Sequence, residues 1–431
     1  VKPLLGIAWR SALDRRGTLA LVLLSIALGT ALLLALERLR TDIRSSFSQA
    51  VSGTDLVVGA RTGPVQLMLY AVFRVGGATQ NIRVDSLKAI EAHRAVAWVV
   101  PLSLGDSHRG FPVLGTTPAY FERYAYAERR ALQLNQGRTF AGTLDGLYEA
   151  VIGAEVASAL GYGLGQRIVL AHGLQGVQRG GLATEHADKP FTVVGVLART
   201  GTPVDRTVHV SLQAIEALHL DWVGGAPLPA SAGVAIAAEH ARKFDLEPKQ
   251  VTAALVGLKS RSAVFVVQRF VNQYEGEPLL AVLPGVALDE LWEAVALSER
   301  ALLAISGLVA LVSLASLVAV VLAGLNERRR ELAVLRAVGA GPRHVLLLLA
   351  AEGVLVTLAG ALLGALAASA AVLLAAPWVQ EQFGITLAFG APTAAQAGLF
   401  GAVLAAGMLA SLVPGWRAYR LSLADGLSPR T

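Results

Sequence analysis

The stretch "ALLAISGLVALVSLASLVAVVLAGLNERRRELAVLRAVGAGPRHVLLLLAAEGV" (Ala301–Val354) decides the fold. Ala301–Asn326 carries no charge and Val345–Gln380 carries only Glu352, yet Arg328, Arg329, Arg330, Arg336 and Arg343 crowd the short segment between them. A basic, helix-prone segment wedged between two long apolar runs reads as a loop at a membrane surface joining two spans.

The same pattern extends outward. The chain has 431 residues, 54% hydrophobic and 16% charged, against about 25% charged in an ordinary soluble domain. The shortfall is concentrated in Thr18–Leu36, Ala301–Leu325, Gly353–Ala375 and Ala394–Val413. Each is near the roughly 20 apolar residues that cross a bilayer and longer than a buried core helix of 10–14 residues. The first run is too long for the apolar region of a signal peptide and is expected to remain as a span. The expected fold is an α-helical membrane protein with four transmembrane helices and a large α+β extracytoplasmic domain between helices 1 and 2. The expected boundaries are an interfacial amphipathic helix at 1–17, a first span at 18–40, the outer domain at 41–297 and a second span at 298–325. A cytoplasmic helix follows at 326–344, then a third span at 345–376, a short outer loop at 377–392, a fourth span at 393–415 and a tail at 416–431.

Charge sets the expected orientation. Lys2, Arg10, Arg15 and Arg16 precede the first span, the five arginines lie between spans 2 and 3, and Arg417, Arg420 and Arg430 follow span 4. Pro377–Thr393 has no Lys or Arg. The positive-inside rule then places both termini and the 2–3 loop in the cytoplasm. Trp9, Trp292, Trp378 and Trp416 fall close to the proposed membrane ends, where indoles favour the interface. The net charge of +6 gathers beside the spans rather than on a soluble face, so nucleic acid is not an expected partner. The chain has no cysteine, which excludes disulfides, thiolate metal sites and cysteine nucleophiles.

In the outer segment, "RIVLAHG" (Arg167–Gly173) and "FTVVGVLART" (Phe191–Thr200) read as strands. "AYFERYAYAERRALQL" (Ala119–Leu134) and "DSLKAIEAHRAV" (Asp85–Val96) have helical periodicity, and two subdomains are expected. "LVVGARTGPVQLMLYAVFR" (Leu56–Arg74) is either an apolar surface gripping a lipid or lipoprotein, or buried core. In span 3, Gly353, Gly360 and Gly364 recur at spacings that allow close helix approach. Intramembrane charge is nearly absent, which disfavours an ion-coupled carrier.

The sequence holds no phosphate loop, no G-x-S-x-G elbow and no H-E-x-x-H helix. No catalytic residue, cofactor or metal is therefore expected in the chain itself. His172, His186, Asp188, His209 and His219 lie near one another in sequence, and His172, His186 and Asp188 are the set that a metal site would draw on. A metal needs three or four convergent ligands, and spacing alone does not show convergence. Asp205 and Arg206, in the turn "RTGTPVDR" (Arg199–Arg206), are candidate partner or substrate contacts.

The basic segment carries one further pattern. In "ELAVLRAVGAG" (Glu331–Gly341), Leu332, Leu335 and Val338 form an apolar stripe, and Gly339 or Gly341 ends the helix before Pro342. Such a helix lies on the membrane or docks in a groove of a cytoplasmic partner. This segment closely resembles the coupling helix of FtsX-like permease modules in MacB-type (type VII) ABC transporters, with matches at Arg330, Glu331, Leu332, Leu335, Arg336, Ala337, Gly339 and Ala340. "VPGWRAYRLSLADGL" (Val413–Leu427) resembles that family's ending at Pro414, Arg417, Ala418, Arg420 and Leu427, and lacks its usual proline near Leu423. "AVIGAEVASALGYGLGQRIVL" (Ala150–Leu170) and "FTVVGVLARTGTPVDRTVHVSL" (Phe191–Leu212) are similar to the family's outer-domain segments.

The resemblance implies a permease without a fused ATPase, similar to the split members that handle lipoproteins (LolC- and LolE-like), peptides or haem. It implies a homodimer in the bacterial inner membrane, driven by a cytoplasmic ABC ATPase dimer that binds ATP and Mg, with a periplasmic adaptor or lipoprotein as a further partner. ATPase closure would move the coupling helices and, through them, the outer domains. Two other roles stay open: an FtsX-like regulator that activates a cell-wall hydrolase without transport, and a transporter branch linked to metal handling.

Overall fold

The computed structural model describes residues 16–78, 80–127, 129–173, 186–220, 222–223, 226–227, 236–327, 339, 341–383, 387 and 390–420. Helix α1, Arg16–Gln49, leads from one compact unit into another; the first unit includes Val295–Trp378 and the second Ile43–Ala294.

The second unit is built on a sheet that has eleven strands among the described residues. They are β1 (Leu56–Ala60), β2 (Val96–His108), β3 (Phe111–Thr116), β4 (Leu134–Gly137), β5 (Glu149–Ile152), β6 (Arg167–Ile168), β7 (Ala171–His172), β8 (Phe191–Leu197), β9 (Val208–Ser211), β10 (Ala253–Leu258) and β11 (Leu279–Val282). The order is β11-β1-β10-β2-β3-β9-β5-β8-β4, with β7 on β2 and β6 on β8. The pairs β3–β9 and β5–β8 are parallel. Strand β2 joins the two halves: Val96–Leu102 pairs with β10, and Ser103–His108 pairs with β3. The sheet is continuous across β2, and this part of the chain forms one compact unit.

Most of Leu56–Arg74 is core, with Arg61, Gly63 and Gln66 exposed. Leu56, Val58 and Ala60 enter one apolar cluster with Leu87 and Ile90 of α3 (Val84–Glu91) and Val267 and Val271 of α6 (Val264–Asn272). Val57 enters the opposite cluster with Leu67 and Met68 of α2 (Pro64–Ala71). An apolar run with no alternation is what a strand covered on both faces requires. Helices α4 (Ala154–Leu160) and α5 (Leu212–Leu218) flank the other half-sheet.

The helix expected over Ala119–Leu134 is a correction. Only Ala119–Arg123 is helical, and short strands follow at Ala125–Tyr126, Arg130–Ala131 and Leu134–Gly137. Tyr124 turns extended, its hydroxyl donates to the Ala50 carbonyl at 2.6 Å, and Ala127 and Arg129 adopt positive φ. Tertiary anchoring of the aromatic rings overrides local helical preference here.

The membrane unit contains most of α1, of α7 (Pro284–Glu327) and of α8 (Pro342–Phe383), with α9 (Ala394–Arg420), each carrying a stretch long and apolar enough to cross a bilayer. Small residues let these helices approach. A side chain on Gly360 would meet Ile26, and one on Gly364 would sit 2.5 Å from the Ala27 carbonyl of α1. Gly353 faces Ser411 of α9 instead, so the glycines of span 3 serve two neighbours. Ser25 of α1 and Ser313 of α7 are hydrogen-bonded through their hydroxyls at 3.0 Å. Trp378 and Trp416 are exposed near helix ends, whereas Trp292 packs edge-on to Phe47, centroids 5.5 Å apart.

Candidate functional site

Two constellations in the α+β unit contain the residues singled out from sequence. Asp205 is buried and organises its own turn. Its carboxylate accepts from Thr200 N at 2.8 Å, Gly201 N at 2.8 Å and Thr200 Oγ1 at 2.9 Å, and burial still raises its pKa above the ordinary value. Arg206 donates to Glu155 at 2.9 Å and lies over the Phe111 ring. Both side chains, expected as partner contacts, also have partners within the domain: Asp205 in its own turn and Arg206 on Glu155.

The histidines behave differently. Register places His172 of β7 directly opposite Asp106 of β2, and His172 Nδ1 lies 3.0 Å from Asp106 Oδ1. α5 starts where Ser211 Oγ accepts from Ala214 N, and its end delivers His219. His219 Nε2 then lies 3.2 Å from His172 Nδ1 and 3.7 Å from Asp106. His186 is buried beside them, its ring centroid 5.4 Å from that of His219. The hydrogen bond to Asp106 raises the His172 pKa, and burial lowers that of His186. Asp188 turns to Lys189, 3.6 Å away, and His209 sits apart in the core with Nδ1 on the Val151 carbonyl. Asp106 was not among the sequence candidates. Its one signal was an acidic residue within an otherwise strand-forming run, "VVPLSLGDSH" (Val99–His108).

On the membrane side, Arg330, Glu331, Leu332, Leu335, Arg336, Ala337 and Ala340 lie outside the described residues. Gly339 has φ +104°, a left-handed conformation that only glycine adopts without strain, and Pro342 then opens α8. Near the other end of these helices, Arg40 of α1 joins Glu299 of α7 at 3.1 Å and Glu37 at 3.2 Å.

Residues 19–243 match the family described as MacB-like periplasmic core domain, and residues 303–423 match the FtsX-like permease C-terminal family. The chain is a MacB/FtsX-type ABC permease. The solved periplasmic region of MacB from Actinobacillus actinomycetemcomitans is 12% identical, with a TM-score of 0.33 over 56% of this chain and 93% of that one. The extracellular domain of the noncanonic ABC-type transporter YknZ from Gram-positive bacteria is 15% identical, with a TM-score of 0.28 over 47% of this chain and 89% of that one. No curated protein matches the chain.

In this MacB/FtsX-type permease, the periplasmic-core match takes in α1 and the sheet as far as β9, and the FtsX-like match takes in most of α7, the basic segment, α8 and α9. The four apolar helices and the periplasmic core fit an inner-membrane protein.

Proposed function

We infer that this permease is the membrane subunit of an ATP-driven mechanotransmission complex. A separate cytoplasmic ATPase dimer binds ATP and Mg, and two permease copies turn its closure into movement of their outer domains. That movement extracts or exports an envelope substrate such as a lipoprotein, a peptide or a small amphiphile. Both termini and the basic loop face the cytoplasm.

One observation carries this reading: the charged, amphipathic segment with Arg330, Glu331 and Arg336 lies within the FtsX-like match, between the end of α7 and the start of α8. The means of transmission is continuous helix. α7 has 44 residues, about 66 Å at 1.5 Å per residue, roughly twice the thickness of a bilayer core.

The test is purification from native membranes in mild detergent, followed by ATPase assay of the reconstituted complex. The expected result is a co-purifying ABC ATPase whose activity is uncoupled from the permease by Glu331→Ala or Arg336→Ala. A complex without an ATPase would overturn the reading, and a bound cell-wall hydrolase in an ATPase-containing complex would turn it toward regulation without transport.

A further inference from the structure

We propose that Asp106, His172, His186 and His219 form a binding site for a zinc-class divalent cation in the periplasmic core domain. This site stands independently of the coupling reading, because it is built wholly within the α+β unit.

The geometry matches a tetrahedral ion. Asp106 Oδ1, His172 Nδ1 and His219 Nε2 form a triangle with edges of 3.0, 3.2 and 3.7 Å. An ion holding imidazole nitrogen and carboxylate oxygen at 2.0–2.1 Å needs ligand atoms about 3.3 Å apart. The ligand atoms of Asp106, His186 and His219 also lie within 4.8 Å of one another. His186 is therefore the candidate for the fourth corner, beside the Asp106–His219 edge that both sets share.

Each ligand is held by backbone rather than by chance proximity. The ladder between β2 and β7 fixes His172 opposite Asp106, and Ser107 Oγ donates to the Gly173 carbonyl at 2.7 Å beside it. Pairing of β2 with β3 shifts register between Leu104 and Ser107, where Gly105 has φ +153°. Such a bulge re-aims the next side chain, and Asp106, Ser107 and His108 are all buried, breaking the alternation of a regular strand. His186 N donates to the Leu170 carbonyl at 2.9 Å. His219 Nδ1 donates to the Ile215 carbonyl at 2.8 Å, which leaves Nε2 of the neutral ring as the coordinating atom. Histidine ligands in metal sites are typically oriented by this kind of bond from the other nitrogen.

Access and chemistry agree. Asp106 and His186 form the buried wall, while the His172 and His219 side chains are 42% and 25% exposed, so an ion reaches the site from solvent. Three imidazoles and one carboxylate suit zinc and its neighbours and not calcium or magnesium, which take oxygen ligands. The nearby Lys189 ammonium is turned to Asp188 and the Leu218 carbonyl, which offsets its repulsion. An ion here ties Asp106, His172, His186 and His219 into one cross-link.

The experiment uses the full-length protein in mild detergent, stripped with chelator and titrated with Co²⁺ alone, then with Zn²⁺ as competitor. The expected result is one Co²⁺ per chain with the intense visible absorption of a tetrahedral site, displaced by Zn²⁺. His219→Gln and His172→Gln both replace a partly exposed ligand and are chosen to preserve folding; His93→Gln, at a ring that stacks on Phe270 against a different core cluster, is the control. His219→Gln and His172→Gln should each weaken binding by more than the roughly 10–100-fold typical of losing an outer-shell partner, with the control unchanged. Loss of binding in both His172→Gln and His219→Gln supports the four-ligand site; retained binding in His172→Gln together with loss in His219→Gln would overturn it and leave Asp106, His186 and His219 as the ligands. No saturable binding by the wild type, or binding that neither variant alters, would overturn the proposal and leave a hydrogen-bonded cluster only.

Discussion

Arg40 on the first membrane helix and Glu299 on the second meet at 3.1 Å, and Arg40 also reaches Glu37 one turn back at 3.2 Å. The Glu37 side chain is 8% exposed and that of Glu299 18%. Removing the shared cation therefore leaves a buried carboxylate without its partner, which costs more than losing one acceptor. Arg40→Gln should destabilise the protein by on the order of 2 kcal/mol and Glu299→Gln by about 1 kcal/mol or less. Melting in detergent, completed as a double-mutant cycle, measures the coupling. Equal effects of the two single changes would contradict the shared-cation account.

Helix contact at Gly364 tolerates no side chain. A Cβ there would sit 2.5 Å from the Ala27 carbonyl and 2.7 Å from Thr30 Cβ. Gly364→Val should cost about 1–3 kcal/mol through overpacking, whereas Gly401→Ala, with open space within 4 Å, should be neutral or slightly stabilising. Thermal unfolding of both variants side by side decides this.

Asp205 holds the Thr200–Gly201 backbone through charge-assisted hydrogen bonds. Asp205→Ala should lower stability by about 1.5–3 kcal/mol, with Asp205→Asn retaining part of it. Chemical denaturation of the full chain is the measurement. A variant that folds normally yet loses a partner would make Asp205 a contact residue instead.

His209 gives the protein an acid-sensitive core. Burial, aided by the Arg74 charge, lowers its pKa to about 3, against about 6.5 when unfolded. The unfolded chain therefore takes up a proton below about pH 6.5 that the folded chain refuses. Stability from this residue is full above that pH and falls as pH drops toward 3, by at most about 1.4 kcal/mol per unit. His209→Asn should flatten the difference between melting curves taken at pH 7 and pH 5; an unchanged slope would mean that the ring takes up its proton in the fold as it does in the unfolded chain.

Orientation is open to direct labelling, because the chain has no cysteine of its own. A membrane-impermeant thiol reagent should reach a cysteine replacing Gln175 and not one replacing Arg329. The reverse pattern would invert the topology inferred from charge.

The four apolar helices were legible because the bilayer imposes a local rule: each spanning segment must satisfy its own backbone and cover it with apolar side chains. Leu56–Ala60 could likewise be read as buried core or sticky surface from composition, and only packing against α2, α3 and α6 chose core. The grouping at Asp106 was not legible. His172 and Asp106 are 66 residues apart, and their meeting depends on strand register, a bulge at Gly105 and the length of α5, none of which has a local signature. Composition and periodicity determine which solvent each segment of this permease lives in, because transfer free energy acts residue by residue. Which side chains converge was decided by the tertiary structure, because register and helix ends are set by contacts between distant parts of the chain.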